Sequence, residues 1–413
     1  MNLKFKILAE DGKARTGVLS VNGKRLETPN VIYAATYATI NCITPSQYPA
    51  LGVNALMLNT FHLARPNKPN GKLPIIDLIE KKGGVSNYMG LKNEVTMSDS
   101  GGFQIMSYGD SRVDGTGKVA FPYPNLEKDE SKRKVYVDEK GATFHVVIDG
   151  AVSEFRLTPE ISMQLQARLN TDIAFAFDQC HTLKDHEETR KILNRSHRWE
   201  KESLERRNKN QALYGIVHGG QFKDLRLKSA SVISEMGFDG LSIGGYLGSA
   251  AKEMHEVLDY TIPAIDRSKP LHLLGIGRIN DFFECISRGV DTFDCVEITR
   301  WGRHNWAIVH PSESDKTHSV LVLKESQHKN DDNPISRYCG CHVCKTMSRA
   351  DLISLKAHNA DEEIKKKNEN LYRSALTSHN IAFVSKLMSD IRTAIKEHRF
   401  ESLKKEWLGV IGS

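Results

Sequence analysis

The feature that most constrains the fold is a repeated alternation, between residues 50 and 300, of short apolar runs with longer amphipathic stretches. The apolar runs have the length of strands, and they lead into polar or glycine-containing turns. They cover residues 55–58, 95–98, 173–177, 212–217, 241–243, 271–274 and 290–294. Near-continuous apolar strands indicate a parallel sheet covered on both faces, so this pattern predicts an α/β fold, a (β/α)8 barrel. A doubly wound open sheet is the alternative.

The same pattern predicts one helix start and the domain limits. Thr158 followed by Pro159 predicts a helix over residues 158–169. Residues 110–141 are rich in Gly, Pro, Asp and Lys, which predicts a solvated insertion, either a hairpin or a loop. We expect a barrel over residues 1–310, a small cysteine-containing subdomain over 311–380, and C-terminal helices over 381–413 that pack on the barrel.

The composition is that of a soluble globular protein. The 413 residues are 39% hydrophobic and 26% charged. No apolar run approaches the roughly 18 residues that span a bilayer, and the first residues are too polar for a secretory signal. We therefore expect a cytoplasmic protein without a membrane partner. A net charge of +6 fits an anionic partner such as nucleic acid, although ordinary surface charge is the simpler explanation.

Two aspartates stand where short apolar runs end. Asp99 follows the run at 95–98, and Asp294 ends the run at 290–294. The carboxyl ends of the strands form the catalytic face of a (β/α)8 barrel. Two carboxylates brought to that face from distant parts of the chain can act as a nucleophile and a general acid/base. The sequence therefore predicts an active site built on this pair.

Three of the seven cysteines lie within six residues, as Cys339, Cys341 and Cys344. An odd number with this clustering does not indicate a disulfide framework. Close thiolates on one tight loop can wrap a metal ion, and a fourth ligand completes a tetrahedral zinc site. The candidate fourth ligands are three histidines: His342, His358 and His379. Free buried thiols or a redox pair are the alternatives.

Residues at other strand ends are candidates for contact with a planar base. Gly101 and Gly102 permit a close backbone approach, and Phe103 can stack on a base. Asp178 can accept hydrogen bonds from a guanine-like edge, although capping the following helix is an alternative role. His218 is a polar group at the next strand end, where a structural histidine is the commoner case.

A basic pair follows Asp294. Arg300 and Arg303 suit contact with phosphate groups beside the face of the barrel. An ordinary surface pair of arginines explains them equally well.

Taken together, these segments resemble the tRNA-guanine transglycosylases, also called queuine tRNA-ribosyltransferases. The resemblance extends from about residue 16 to the C-terminal helices. It is carried by residues 59–66, 99–104, 177–180, 215–220 and 293–300 and by the three clustered cysteines. Each motif is weak alone, but their order and spacing together are highly specific.

The resemblance implies a zinc-bearing TIM barrel that exchanges guanine at the anticodon wobble position of tRNA for a 7-deazaguanine. It implies that Asp294 attacks the ribose to give a covalent ribosyl-enzyme, and that Asp99 is the general acid/base. Exchange with retained configuration agrees with this, because it requires two displacements. The other residues implied are Phe103, Asp178, His218, Gly245 and Leu274 for the base, Arg300 and Arg303 for tRNA, and Cys339, Cys341, Cys344 and His379 for a structural Zn²⁺.

Some positions depart from the family pattern. His218 stands where the family usually has Gln, and Gln179 replaces a common Glu. Gly248 falls where queuine-using eukaryotic members also have Gly, which favours queuine as the incoming base. The alternatives are a transglycosylase for DNA or another RNA, and a non-catalytic subunit of a heterodimer, which the intact aspartate pair disfavours. A homodimer, or a heterodimer with a paralogue, is expected.

Overall fold

A computed structural model describes residues 3–66, 74–109, 135–148, 151–181, 185–314, 319–356 and 361–409. The strands in these ranges are β1 (Leu3–Asp11), β2 (Ala14–Val21), β3 (Lys24–Thr28), β4 (Asn30–Ala34), β5 (Ala55–Leu58), β6 (Val95–Ser98), β7 (Val135–Val137), β8 (Ala142–Ile148), β9 (Ala151–Leu157), β10 (Ile173–Phe175), β11 (Ala212–Val217), β12 (Gly240–Ile243), β13 (Leu271–Leu273), β14 (Thr292–Cys295), β15 (Trp306–Ile308) and β16 (Val320–Val322).

The α-helices are α1 (Tyr48–Leu51), α2 (Thr60–Ala64), α3 (Ile75–Lys81), α4 (Val85–Met89), α5 (Gly102–Gly109), α6 (Pro159–Leu169), α7 (His186–Glu205), α8 (Lys223–Glu235), α9 (Ala251–Thr261), α10 (Ile279–Ile286), α11 (Glu297–Arg303), α12 (Glu325–His328), α13 (His342–Thr346), α14 (Arg349–Ser354), α15 (Glu362–Lys396) and α16 (Phe400–Gly409). Short 3-10 helices occupy Pro45–Gln47, Ile262–Ala264 and Pro311–Glu313. None of the helices in the described ranges is long and apolar enough to span a membrane.

Eight parallel strands close into a barrel in the order β4-β5-β6-β10-β11-β12-β13-β14, and β14 pairs back to β4. The predicted (β/α)8 barrel is confirmed, and the open sheet is excluded because the strands form a closed ring. The sequence pattern missed β4. This strand follows β3 after the single residue Pro29, with no helix between them, so it lies outside the alternating region.

The barrel interior is closed at one end by the N-terminal sheet. Strands β5, β6, β11 and β12 are buried at every residue, as expected for a sheet covered on both faces. Leu3, Leu19 and Leu26 of the antiparallel β1-β2-β3 sheet join the apolar cluster inside the barrel. Lys24 of this sheet contacts Asp172, just before β10, at 2.8 Å. The sheet therefore covers the N-terminal strand ends and leaves the C-terminal ends, here called the upper rim, for the site.

The insertion between β6 and β10 contains strands of its own. Strands β7, β8 and β9 form an antiparallel sheet, and residues 135–141 of the expected insertion belong to its first hairpin. Residues 110–134 lie outside the described ranges. The helix predicted at 158–169 is confirmed as α6, and Thr158 Oγ1 caps it by accepting a hydrogen bond from the Ile161 N–H at 3.2 Å.

The C-terminal region is organised by the 35-residue helix α15. It packs on α11, on β15 and against the final helix α16, and residues from its second half are buried with the core around the barrel. The expected boundary at residue 380 falls inside this helix, so the cysteine region and the C-terminal helices share one element. The division into three domains stays a prediction.

A buried ion pair fixes the N-terminal sheet to the barrel. Arg15 Nε and Nη2 donate to the two carboxylate oxygens of Asp291 at 2.9 and 2.6 Å, and both side chains are essentially inaccessible to solvent. Arg15 also donates to the carbonyls of Arg267 and Lys269. Asp291, directly before β14, accepts a further hydrogen bond from the Leu271 N–H at 2.7 Å. This pair joins β2 to the ends of two barrel strands.

Substitution Arg15→Met should lower the free energy of unfolding by about 3–5 kcal/mol, because it leaves the Asp291 carboxylate buried without its cation. Urea-induced unfolding followed by tryptophan fluorescence measures the loss. Arg168→Met is the control: Arg168 pairs with Asp77 and Glu80 at a partly exposed site, where the expected loss is below about 1 kcal/mol. Equal losses in the two variants would contradict the prediction.

Candidate active site and metal centre

Asp99 follows β6 on the upper rim, and the loop after β5 orients it. The Thr60 N–H donates to Asp99 Oδ1 at 2.9 Å, and Asn59 Nδ2 donates to Oδ2 at 2.5 Å. Asn59 is fixed in turn, because its Oδ1 caps α2 by accepting a hydrogen bond from the His62 N–H. Both oxygens of the Asp99 carboxyl group are therefore held in a defined direction.

The environment of Asp99 favours its protonated form. Its pKa is raised from 3.8 to about 7, mainly by burial and further by the charges of Asp294 and Asp178, against the lowering effect of the Thr60 hydrogen bond. The three carboxylates stand at or just after the C-terminal ends of β6, β10 and β14, so they share the upper rim. A carboxyl group with a pKa near neutrality can both donate and accept a proton, as a general acid/base must.

Asp294 lies near the end of β14, with one carboxylate oxygen anchored. Oδ1 accepts a hydrogen bond from the Gly275 N–H at 3.0 Å and lies 3.2 Å from His272 Nε2. His272 is fully buried, and its Nδ1 lies 2.9 Å from Thr292 Oγ1, which fixes the imidazole ring. Within the described ranges, Oδ2 has no hydrogen-bond partner. The carboxylate is thus oriented through one oxygen while the other is available for reaction.

Asp178 lies in a buried polar pocket, where the segments that follow β6, β10 and β11 meet. Its Oδ1 accepts a hydrogen bond from Ser100 Oγ at 2.8 Å, and its Oδ2 lies 3.1 Å from His218 Nε2. A Cβ atom on Gly102 would lie 2.2 Å from Asp178 Oδ1, so this approach requires glycine. The alternative role of Asp178 as a helix cap is wrong, because Asp185 caps the following helix, α7.

Gly245 and Leu274 adjoin the same pocket. A Cβ on Gly245 would lie 3.0 Å from His218 Nδ1. A Cβ on the preceding Gly244 would lie 3.0 Å from Leu274 Cδ1 and 3.7 Å from His218 Cε1. Phe103, which follows Gly102 at the start of α5, is 40% exposed. The structure therefore brings the predicted base-contacting residues to one part of the rim.

The basic pair lies on α11, which begins three residues after Asp294. Arg300 and Arg303 are half-buried, and neither forms an ion pair with a carboxylate in the described ranges. Arg303 Nη1 donates to the Thr299 carbonyl at 3.2 Å, and burial, with the neighbouring Arg300, lowers the pKa of Arg303. These guanidinium groups keep charge available for an anion beside the aspartates.

The three clustered cysteines and His379 of α15 form a group that can hold a metal ion. The ligand atoms of Cys339, Cys341, Cys344 and His379 all lie within 4.8 Å of one another. His379 Nδ1 lies 3.2 Å from Cys344 Sγ and 3.7 Å from Cys341 Sγ, while Nε2 lies 2.7 Å from the Ile308 carbonyl. Donation from Nε2–H to that carbonyl leaves the Nδ1 lone pair facing the sulfur atoms, as in metal-bound histidines.

The geometry distinguishes between two of the three histidines that were candidates for the fourth metal ligand. His379 belongs to the group, whereas His342 begins α13 and does not. His358 lies outside the described ranges. Three thiols and one imidazole, already directed to a common centre, fit the donor preference of Zn²⁺. The alternatives of free thiols or a redox pair leave this convergence of four donors unexplained.

Three groups at the site were not among the predicted residues: Asn59, Ser100 and His272. Asn59 and Ser100 belong to segments that carry the family resemblance, but their hydrogen bonds to Asp99 and Asp178 become visible only in the fold. His272 could have been noticed in the sequence because it is the single polar residue in the apolar run 271–274.

Comparison with known proteins agrees with this geometry. The family model described as "Queuine tRNA-ribosyltransferase" matches residues 10–412. A "Putative queuine tRNA-ribosyltransferase" of Archaeoglobus fulgidus is 38% identical over 99% of this chain and 100% of its own length. A "Queuine tRNA-ribosyltransferase" of Roseiflexus is 35% identical over 99% of this chain and 100% of its own length. One of Aliivibrio fischeri is 31% identical over 98% of this chain and 96% of its own length. The chain therefore belongs to the queuine tRNA-ribosyltransferase family of pentosyltransferases, as its motifs predicted.

Proposed function

We propose that this protein is a tRNA-guanine transglycosylase that exchanges guanine at the anticodon wobble position for a 7-deazaguanine. The observation that carries the proposal is the pair of rim aspartates in unequal environments. Asp294 has one anchored and one available oxygen, and Asp99 has a pKa near neutrality. A nucleophile and a proton carrier on one face are what a double displacement at a sugar carbon requires.

In the first step, Asp294 Oδ2 attacks C1′ of the ribose, and the bond from C1′ to guanine N9 breaks. The electron pair of that bond leaves with guanine, and protonated Asp99 supplies the proton to the departing base. In the second step, the incoming base transfers a proton to the Asp99 carboxylate and its nitrogen attacks C1′. Asp294 is then released with its original charge, so each aspartate is regenerated and the sugar keeps its configuration.

Base recognition is assigned to the pocket around Asp178. Its carboxylate accepts hydrogen bonds from the N–H groups of the pyrimidine ring of the base, while Phe103 stacks on the ring face. His218, Gly245 and Leu274 line the remaining sides. Among 7-deazaguanines we favour queuine over its smaller precursor, because Gly248 stands where queuine-using members of the family also have Gly.

The remaining assignments follow from charge and donor chemistry. Arg300 and Arg303 contact tRNA phosphates near the exchanged base, because they carry positive charge beside Asp294. A structural Zn²⁺ is held by Cys339, Cys341, Cys344 and His379, since four protein ligands leave no position for substrate. A cytoplasmic location and a dimer stay predictions.

Wild-type protein should incorporate radiolabelled guanine into unmodified tRNA, and Asp294→Asn should incorporate none, because an amide cannot replace the attacking carboxylate. The wild type should also give an RNA–protein adduct on a denaturing gel that the variant lacks. Asp259→Asn, a change of the same kind at an exposed surface position, should behave as wild type.

Each contrary result has a distinct meaning. Incorporation into DNA but not into tRNA would support a transglycosylase for DNA. Absence of any exchange, with tRNA binding intact, would support a non-catalytic subunit of a heterodimer. An adduct that persists in Asp294→Asn would show that another residue is the nucleophile.

The two half-reactions should depend on pH in opposite directions. Release of guanine needs protonated Asp99, so its single-turnover rate should fall as pH rises through about 7. Transfer of the incoming base to the adduct needs the carboxylate, so its rate should fall as pH drops below about 7. Asp99→Asn should be slow and without this titration. A transition near the ordinary value of about 4 in both steps would contradict the raised pKa.

Cys341→Ser should lose one equivalent of zinc per chain, because a hydroxyl group replaces one of four ligands. Metal content of the purified protein, measured by atomic emission, gives the result. Cys42→Ser is the matched control, since Cys42 is exposed and not part of the cluster, and it should retain its zinc. Unchanged zinc in Cys341→Ser would exclude this metal site.

A further inference from the structure

Arg226, on the first turn of α8, is a buried guanidinium group without a carboxylate partner in the described ranges. Its side chain is fully buried, and burial lowers its pKa to about 10, so it remains charged at neutral pH. An unpaired cation in a protein interior is costly unless its N–H groups are fully hydrogen-bonded. The acceptors of its hydrogen bonds therefore indicate what this buried arginine does in the structure.

Within the part of the chain that the structure describes, the Arg226 side chain donates four hydrogen bonds, all to backbone carbonyls at the end of β11 and in the loops after β11 and β12. Nε donates to the Gly220 carbonyl at 2.8 Å, and Nη1 donates to the Val217 carbonyl at 2.9 Å. Nη1 also donates to the Gly244 carbonyl at 3.0 Å, and Nη2 donates to the Tyr246 carbonyl at 3.0 Å. One planar group thus joins residues 217–220, which are the last residue of β11 and the loop after it, to residues 244–246, after β12.

These loops need an external support because they are rich in glycine. Gly219, Gly220 and Gly245 have φ of +137°, +58° and +72°. Gly219 also lies against the start of α8: a Cβ there would be 2.7 Å from the Arg226 backbone nitrogen. Glycines in such conformations lose more entropy on ordering than other residues, so fixed partners are needed to keep them in place.

The same helix makes a second contact with the first loop. Ser229 lies three residues after Arg226, and its Oγ accepts a hydrogen bond from the His218 N–H at 3.1 Å. His197 Nε2 lies 3.1 Å from the same hydroxyl oxygen. Helix α8 therefore holds the backbone of His218 directly, in addition to the link through Arg226.

We propose that Arg226 is a positioning residue for base recognition, which sets the separation between His218 and Gly245 by tying their loops together. This inference rests on the proposed function, because it takes the pocket beside Asp178 as the base site. Loss of the link should weaken binding of the purine-like base more than it affects attack by Asp294 or binding of tRNA. Lysine cannot replace arginine fully, since an ammonium group has three donors and lacks the planar geometry that reaches four carbonyls.

The test compares Arg226→Met, Arg226→Lys and Ser229→Ala with wild type in the guanine exchange assay. Arg226→Met should raise KM for guanine roughly tenfold or more, with smaller changes in kcat and in KM for tRNA. Arg226→Lys should be intermediate, and Ser229→Ala should raise KM for guanine about threefold. Arg392→Met is the control, because Arg392 is a largely buried arginine that donates to the Pro29 carbonyl at 2.9 Å, away from the pocket. It should lower the melting temperature without changing KM for guanine.

A readout independent of activity separates failure of this inference from failure of the proposed function. Amide hydrogen exchange should accelerate in residues 217–220 and 244–246 of Arg226→Lys together, while β5 and β6 are unaffected. Unchanged exchange in both loops, or a KM for guanine within twofold of wild type in folded Arg226 and Ser229 variants, would overturn the inference. Equal changes in the KM values for guanine and tRNA would also contradict the inference, because they would show that Arg226 supports the structure in general and not base recognition. An inactive wild type would instead refute the proposed function, and the exchange measurement would still decide whether Arg226 joins the loops.

Discussion

The pairing of β14 with β4 is the interaction on which the arrangement of the site depends. If the sheet opened there, β14 would become an edge strand, and the four strands β10 to β13 would separate it from β6. Closure leaves only β4 and β5 between them, and it brings Asp294 to the same rim as Asp99. The Arg15–Asp291 ion pair supports this closure, because it fixes the residue before β14 against the N-terminal sheet that leads into β4.

Once both aspartates are on the rim, their neighbours make them chemically different. Asp99 is crowded by two other carboxylates and is largely removed from water, which favours its neutral form. Asp294 is oriented by a backbone N–H and by a buried imidazole, and its second oxygen is not engaged in the described ranges. The same side chain can therefore serve two roles, because the fold supplies different hydrogen-bond donors and different desolvation at the two positions.

The parts that could be predicted from the sequence are those that a local pattern specifies. Strands such as β5 and β11 consist of consecutive apolar residues, and α6 begins with the Thr158–Pro159 pair. Asp99, Asp178 and Asp294 were recognised at the ends of apolar runs, and the cysteine cluster was recognised by its close spacing. Hydrogen bonds from side chains to backbone carbonyls could not be predicted. Every residue has such a carbonyl, so the residue type does not indicate which one is the acceptor. Arg226 and His379 both depend on such acceptors, and only the fold shows which carbonyls lie within reach.

The cysteine cluster is also connected to the upper rim, because His379 of the cluster lies on α15 and α15 packs on α11. His379 belongs to the cluster, and the next residue, Asn380, donates to the carbonyls of Ile298 and Trp306 while its Oδ1 accepts from the Ile308 N–H. At Gly302 a Cβ would lie 2.7 Å from the backbone nitrogen of Thr377, so α11 and α15 are in direct backbone contact.

Helix α11 carries Arg300 and Arg303 and begins three residues after Asp294. A metal held by the cluster would therefore fix α15, and through it the basic helix that follows Asp294. The cluster therefore belongs to the architecture of the rim even though it lies apart from the aspartates.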